Sequence, residues 1–182
     1  MILTIIIGSI VILALFFVIF TYNIFVRLTN SVDNAWANID VLLKQRFDEL
    51  PNLVNTVKAY TKHEKELLER IASLRSEYLN RSTLEGKGDT ATKTSSTIKS
   101  LFAVAERYPE LKANENFLKL QKRISELEDM IADRREYYNE TVRIYNTRIR
   151  QIPYVFVANL GSFKPREHFS FKNRKEAVEV TI

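Results

Sequence analysis

The stretch VDNAWANIDVLLKQRFDELPNLVNTVKAYTKHEKELLERIASLRSEY, residues 32–78, decides the fold. One row at a seven-residue spacing reads Trp36, Leu43, Leu50, Val57, Glu64, Ile71, Tyr78. Its companion reads Val32, Ile39, Arg46, Leu53, Tyr60, Leu67, Leu74. Twelve of these fourteen positions are apolar or aromatic, the pattern of a helix that buries one stripe against other helices. Pro51 lies in the middle. A proline removes one backbone hydrogen bond and crowds the preceding turn. The phase is unchanged from Leu43 through Leu50 to Val57, so the spacing predicts one long helix, kinked near Pro51. A hairpin at Pro51 is the alternative.

Before this stretch, MILTIIIGSIVILALFFVIFTYNIFV (residues 1–26) carries no charged side chain. About 20 apolar residues span a bilayer core. A secretory signal would show a basic start and a small-residue cleavage step, and neither is present. The run reads as an uncleaved transmembrane helix, anchored through Ile5, Ile12, Phe16, Phe20 and Tyr22, the last at the height of an interfacial aromatic belt. Nothing basic precedes the run, while Arg27, Lys44 and Arg46 follow it. The expectation is a cell-membrane protein whose C-terminal body faces the cytoplasm.

After it, NRSTLEGKGDTATKTSS (residues 80–96) shows no apolar period and contains Gly86 and Gly88, so a flexible loop is expected. A short helix follows, with Ile98, Leu101, Phe102 and Ala105 on one face, ending at Tyr108-Pro109. A last long helix is expected from about Pro109 to Gln151. Its main row is Phe117, Ile124, Ile131, Tyr138, Tyr145, Ile152. The companion row is Leu120, Leu127, Arg134, then shifts by one to Val142 and Ile149, like a stutter. The step Tyr-Asn occurs at Tyr138-Asn139 and Tyr145-Asn146 in that region, and also at Tyr22-Asn23. Asn139 and Asn146 flank the seam, where a polar residue fixes register or meets a partner. The tail carries Pro153, Gly161 and Pro165, and its Phe156, Phe163, Phe169 and Phe171 are expected to cover one end of the bundle, or to rest on a membrane or partner.

The expected architecture is all-α: a transmembrane anchor (1–26), an up-and-down antiparallel bundle of three to four long helices (27–160) and a short irregular tail (161–182). Composition agrees, with four Gly, four Pro and 27% charged residues of both signs in 182 residues. The absence of Cys excludes disulfides, thiolate metal sites and Cys nucleophiles. The net charge of +5 argues for neither nucleic acid nor lipid. His63 opens HEKEL, but Leu67 replaces the second histidine of a zinc H-E-x-x-H site. Neither His63 nor His168 has Glu three residues earlier, as helical di-iron sites need. No metal, cofactor or catalytic residue is predicted.

Three charges interrupt the apolar rows: Arg46, Glu64 and Arg134. A charge in a seam is costly unless paired. Arg46 and Glu64 lie eighteen residues apart, roughly 27 Å at 1.5 Å per residue, so their partners belong to other helices or another chain, a second copy included. The functional reading is a helical scaffold or adaptor that presents a face to a protein partner. One rival is a lipid- or nucleic-acid-surface binder through Lys164, Arg166, Lys172, Arg174 and Lys175. The other is an enzyme with a site around His63, Glu64 and Arg134.

Tyr22-Asn23, VDNAWANIDVLLKQRFDELPNLVNTVKAYTKHE, ERYPELKANENFLKLQKRISELEDMIADRREYYNETVRIYN and the tail with Pro153, Gly161 and Phe163 together resemble the LemA family of bacterial membrane proteins. The resemblance covers nearly the whole chain outside residues 80–96. One departure is KQRF, where members commonly carry two consecutive basic residues. The resemblance implies a single N-terminal membrane helix, a helical body, no known catalytic activity, and work beside other envelope proteins such as a membrane-bound protease.

Overall fold

The computed structural model describes residues 1–61 and 63–169. Among these there are six helices and no strand: α1 (Ile2–Lys58), α2 (Lys65–Asn80), α3 (Leu84–Ala105), α4 (Pro109–Lys112), α5 (Glu115–Arg150) and α6 (Tyr154–Leu160). The chain divides into two units. One contains Met1–Asn38 and Glu136–His168, the other Ile39–Arg135 and the segment beginning at Phe169. Helices α1 and α5 contribute to both.

The second unit is a four-helix, up-and-down bundle, and cross-helix contacts give its directions. Arg75 reaches Phe47 while Tyr78 reaches Asp40, so α2 runs antiparallel to α1. Lys87 meets Asp40 and Ser95 meets Arg46, so α3 runs back along α1. Phe117 meets Phe102 while Glu128 meets Ser95, so α5 reverses again. Ile39, Leu43, Leu50, Leu53 and Val57 of α1 are buried to 1% exposure or less, and Ile71, Ile98, Leu101, Ile124, Leu127 and Ile131 of the other helices are likewise buried.

The expected single helix from Val32 to Tyr78 is corrected: the chain turns between Lys58 and Lys65. The amides of Tyr60 and Thr61, and the Thr61 hydroxyl, all donate to the Val57 carbonyl and end α1 there. The turn happens to preserve the heptad phase, so periodicity alone did not betray it. Directly after the turn Leu68 is buried where Leu67 is only half-buried, and Ile71, Leu74 and Tyr78 then keep the predicted rows. Pro51 lies inside α1 and neither ends it nor forms a hairpin. The hydrogen bond it cannot make would have gone to the carbonyl of Phe47, four residues back. That carbonyl instead accepts from Arg75 Nε at 3.1 Å. Proline thus frees an acceptor with which α2 docks on α1.

The expected flexible loop at 80–96 is also corrected, because most of it belongs to α3. Thr83 caps the helix, its hydroxyl accepting from the Gly86 amide at 3.2 Å. Its packing face is built from small residues: Gly88, Thr90, Ala91, Thr94 and Thr97 are buried ahead of Ile98 and Leu101. Ala91, Thr94, Ile98, Leu101 and Ala105 keep the heptad, which a count of large apolar residues misses. The hydroxyls of Thr90, Thr94 and Thr97 donate to carbonyls four residues back, at 3.0, 2.8 and 2.8 Å, so their burial leaves no orphaned donor.

In the first unit, the N-terminal part of α1 and the C-terminal part of α5 lie antiparallel, with Trp36 against Tyr138 and Phe17 against Tyr154. Residues 1–20 are exposed apart from half-buried Val18, whereas Thr21 and Phe25 are fully buried. Packing against the body therefore begins before the expected anchor boundary at residue 26. Tyr154–Leu160 forms α6, and the described part of the tail beyond it, residues 161–169, holds no helix or strand: after a turn, residues 163–168 run back along α5 as an extended strap.

If Pro51 serves the Arg75 contact, the two residues are energetically coupled. Arg75→Ala should destabilise the bundle by about 1–3 kcal/mol, as for a hydrogen bond from a charged donor. In a Pro51→Ala background, where residue 51 can bond Phe47 itself, the same change should cost measurably less. Denaturant titration of the four members of this cycle gives the coupling.

Candidate functional site

The first candidate site is a polar layer inside the bundle. Arg46 is fully buried. Its Nη1 donates to Glu128 Oε1 at 2.5 Å and to Ser95 Oγ at 2.8 Å, and its Nη2 donates to the Ala91 carbonyl at 3.1 Å. The Ser95 hydroxyl donates to Glu128 Oε2 at 2.8 Å. Burial lowers the Arg46 pKa and the Glu128 charge opposes that shift. Arg135 lies in the same field. Its guanidinium covers the Phe169 ring at 4.4 Å, and burial first, then Arg46, lowers its pKa to about 10. One turn along, Tyr78 stacks on Phe47 with centroids 4.1 Å apart and donates to Asp40 Oδ1 at 2.9 Å, while Lys87 reaches the same oxygen at 2.7 Å. Burial, then Asp40, raises the Tyr78 pKa.

The expected seam position Arg134 is corrected to Arg135. Arg134 is exposed, whereas Arg135 is 7% exposed. The buried companion row runs Leu127, Arg135, Val142, Ile149, so the shift falls one heptad earlier than predicted. Glu64 is not inside a continuous helix. It sits half-buried before α2 and accepts from Arg107 Nη2 and Tyr108 OH, both at 3.2 Å. It thus lies by the end of α3, while Arg135 lies by Gly88 near the start of α3, through Phe169. The residues named for an enzymatic site do not converge. Among the described residues, no three His, Asp or Glu side chains are grouped to hold a metal ion.

The second candidate site is the strap, which engages Tyr138, Tyr145 and Asn146 of the two Tyr-Asn steps in α5. Tyr138 OH donates to the Glu167 carbonyl at 3.0 Å and Tyr145 OH to the Lys164 carbonyl at 2.9 Å. Asn146 donates through Nδ2 to the Arg166 carbonyl at 2.8 Å and accepts at Oδ1 from the Arg166 amide at 2.9 Å. That two-point clasp mimics a strand partner. Asn139 is half-buried beside Tyr138. Arg166 ion-pairs with Asp33 at 3.3 Å. At the far end Phe163 lies on Tyr22 and Phe25, with centroids 5.5 and 5.1 Å apart. A Cβ at Gly161 would come within 2.5 Å of the Phe163 ring, so a larger residue there would push that ring out of its place. Of the tail aromatics, Phe169 is buried, Phe163 half-buried and Phe156 exposed. Phe171, Lys172, Arg174 and Lys175 lie outside the described residues.

The third feature is the anchor. Ile5, Ile12, Phe16 and Phe20 are exposed, and α1 is the one described helix long and apolar enough to cross a membrane. Tyr22 is 47% exposed, with its ring edge against Phe163.

Sequence reasoning missed Glu128, Ser95 and Arg135. Glu128 directly follows seam residue Leu127, and Ser95 lies in the small-residue face of α3; a partner search for Arg46 along both rows was the available signal.

Two outcomes follow from this geometry. Glu128→Ala should destabilise the protein by about 3 kcal/mol, the lower end for a broken buried pair because Glu128 reaches water. Adding Arg46→Met should recover part of that loss in thermal or denaturant unfolding. Asn146→Ala removes two hydrogen bonds and should cost about 1–3 kcal/mol locally. Hydrogen exchange at the Arg166 amide should accelerate while amides within α3 keep their protection.

The LemA family model matches residues 35–182. Over 81 residues the chain is 33% identical to the magnetosome proteins MamQ 1 and MamQ 2 of Paramagnetospirillum magneticum (strain ATCC 700264 / AMB-1). It is 28% identical over 81 residues to the magnetosome protein MamQ of Magnetospirillum gryphiswaldense (strain DSM 6361 / JCM 21280 / NBRC 15271 / MSR-1). Each match covers 44% of this chain and 30% of the relative, so the aligned stretch spans under a third of those proteins. The family match extends over the bundle, the polar layer and the strap, and this membrane-associated helical protein belongs to the LemA family.

Proposed function

We propose that the chain is a membrane-anchored helical scaffold that presents a bundle face to a membrane or envelope protein, such as a membrane-bound protease. The observation that carries this reading is α1 itself. Its first twenty residues lie outside any core, and the same helix continues into packed structure. Arg46, Ser95 and Glu128 of the buried layer are bonded to one another, which suits a body that positions others. Orientation follows from charge. Arg46 is buried and paired, so it adds little to the flanking field counted from sequence. Lys164, next to Phe163, takes its place beside Arg27 near the level of Tyr22 and Phe25, and Arg148 and Arg150 end α5 close by in sequence to α6. This basic collar supports a cytoplasmic body.

Two measurements test the reading. Ser82, exposed between α2 and α3, is suited to replacement by cysteine in this Cys-free chain. Ser82→Cys should resist a membrane-impermeant thiol reagent in intact cells and react after permeabilisation; ready labelling of intact cells overturns the orientation. Photo-cross-linking residues at Val41 and Leu79, exposed apolar positions on the bundle, should trap a discrete membrane protein, and deletion of residues 2–20 should abolish the product. No discrete product from any exposed bundle face rejects the scaffold.

A further inference from the structure

The exposed apolar surface does not end at residue 20. Ile152, Phe156 and Leu160 are 80, 69 and 78% exposed. Spaced every four residues, they share one side of α6 and the turn before it. Buried Val157 and Ala158 hold the opposite side in place. Tyr154 fixes the height of α6, because its ring centroid lies 6.0 Å from that of Phe17. Phe17 precedes Tyr22 by five residues, roughly 7–8 Å along the helix axis at 1.5 Å per residue. The chain then climbs: Phe163 meets Tyr22 and Phe25, and Arg166 meets Asp33. Helix α6 therefore lies at a level where α1 carries no charge and its residues, apart from half-buried Val18, are still exposed.

The geometry points to α6 as a second membrane-contacting element, seated in the acyl boundary of the leaflet from which α1 emerges. This rests on the reading of α1 as a membrane span. The bilayer is the occupant that fits, since the exposed face of α6 is continuous in level with the lipid-facing part of α1. Helices lying in an interface bury their apolar side about 5–10 Å deep, which matches the offset between Phe17 and Tyr22. Charge agrees. Arg148 and Arg150 end α5 just before α6, Lys164 follows just after it, and Arg148 covers the Tyr154 ring at 4.6 Å. Cations at that height meet anionic headgroups while apolar side chains enter below them. The Tyr-Asn clasp then holds the strap leading away from α6, so the protein grips the bilayer at two points.

The test uses the full-length chain with single cysteines at Ile12, Phe156, Leu160 and, as a bundle reference, exposed Arg123. Each carries a nitroxide, in vesicles of phosphatidylcholine and phosphatidylglycerol at low protein-to-lipid ratio. Collision rates with oxygen, which partitions into lipid, are compared with those of a water-soluble nickel chelate. Ile12→Cys should be oxygen-rich and nickel-poor, and Arg123→Cys the reverse. Phe156→Cys and Leu160→Cys should side with Ile12→Cys, at shallower depth. If they match Arg123→Cys while Ile12→Cys stays deep, the inference about α6 is overturned and the anchor stands. Low rates with both reagents at Phe156→Cys and Leu160→Cys mean protein covers α6, which also overturns it. Nickel access at Ile12→Cys removes the anchor itself.

Discussion

A guanidinium with no exposure to water constrains the whole bundle. Arg46 can be buried only if acceptors arrive from several directions at one level of α1. Ser95 and the Ala91 carbonyl come from α3, and Glu128 comes from α5. Meeting that requirement fixes the register of three helices at once. It also explains the small residues of α3, because Gly88, Ala91 and Thr94 let that helix approach closely enough for its backbone to serve as acceptor. Apolar packing alone tolerates sliding by a turn, whereas an unmatched buried charge does not. The fourth helix is docked by a related device, in which Pro51 releases the Phe47 carbonyl for Arg75.

The other unit is organised by hydroxyls and amides at the edge of its apolar row. Tyr138 and Tyr145 pack their rings with the core, at 1% and 2% exposure, while their oxygens reach out to strap carbonyls. An extended segment without a sheet has unpaired backbone groups, and side chains of α5 supply the missing partners. The repeat at seven residues is what a strap running along a helix requires. The Tyr22-Asn23 copy takes part differently, through the Tyr22 ring against Phe163.

Much of the architecture was legible in the sequence. The apolar run, the heptads of α1 and α5 and the scarcity of glycine and proline all report local chemistry read directly from residue type. The misreadings share a physical cause. Residues 80–96 looked like loop because threonine, glycine and alanine are weak signals alone, yet they suit a helix that must pack closely. The turn at 59–64 was hidden because it kept the heptad phase. Arg134 was chosen over Arg135 because a one-residue stutter is invisible until the facing surfaces are known.

Sequence by itself determined that this chain is all-α, that it carries a membrane-length apolar helix, and that Arg46 needed a partner. Those properties follow from periodicity, hydropathy and the cost of burying charge, which act along the chain. Only the tertiary structure decided that the partner is Glu128, eighty-two residues away, that Asn146 clasps Arg166, and that α6 lies beside Phe17. Such pairings depend on where helices turn and which faces meet. No local pattern encodes that, because it is settled by the joint packing of elements distant in sequence.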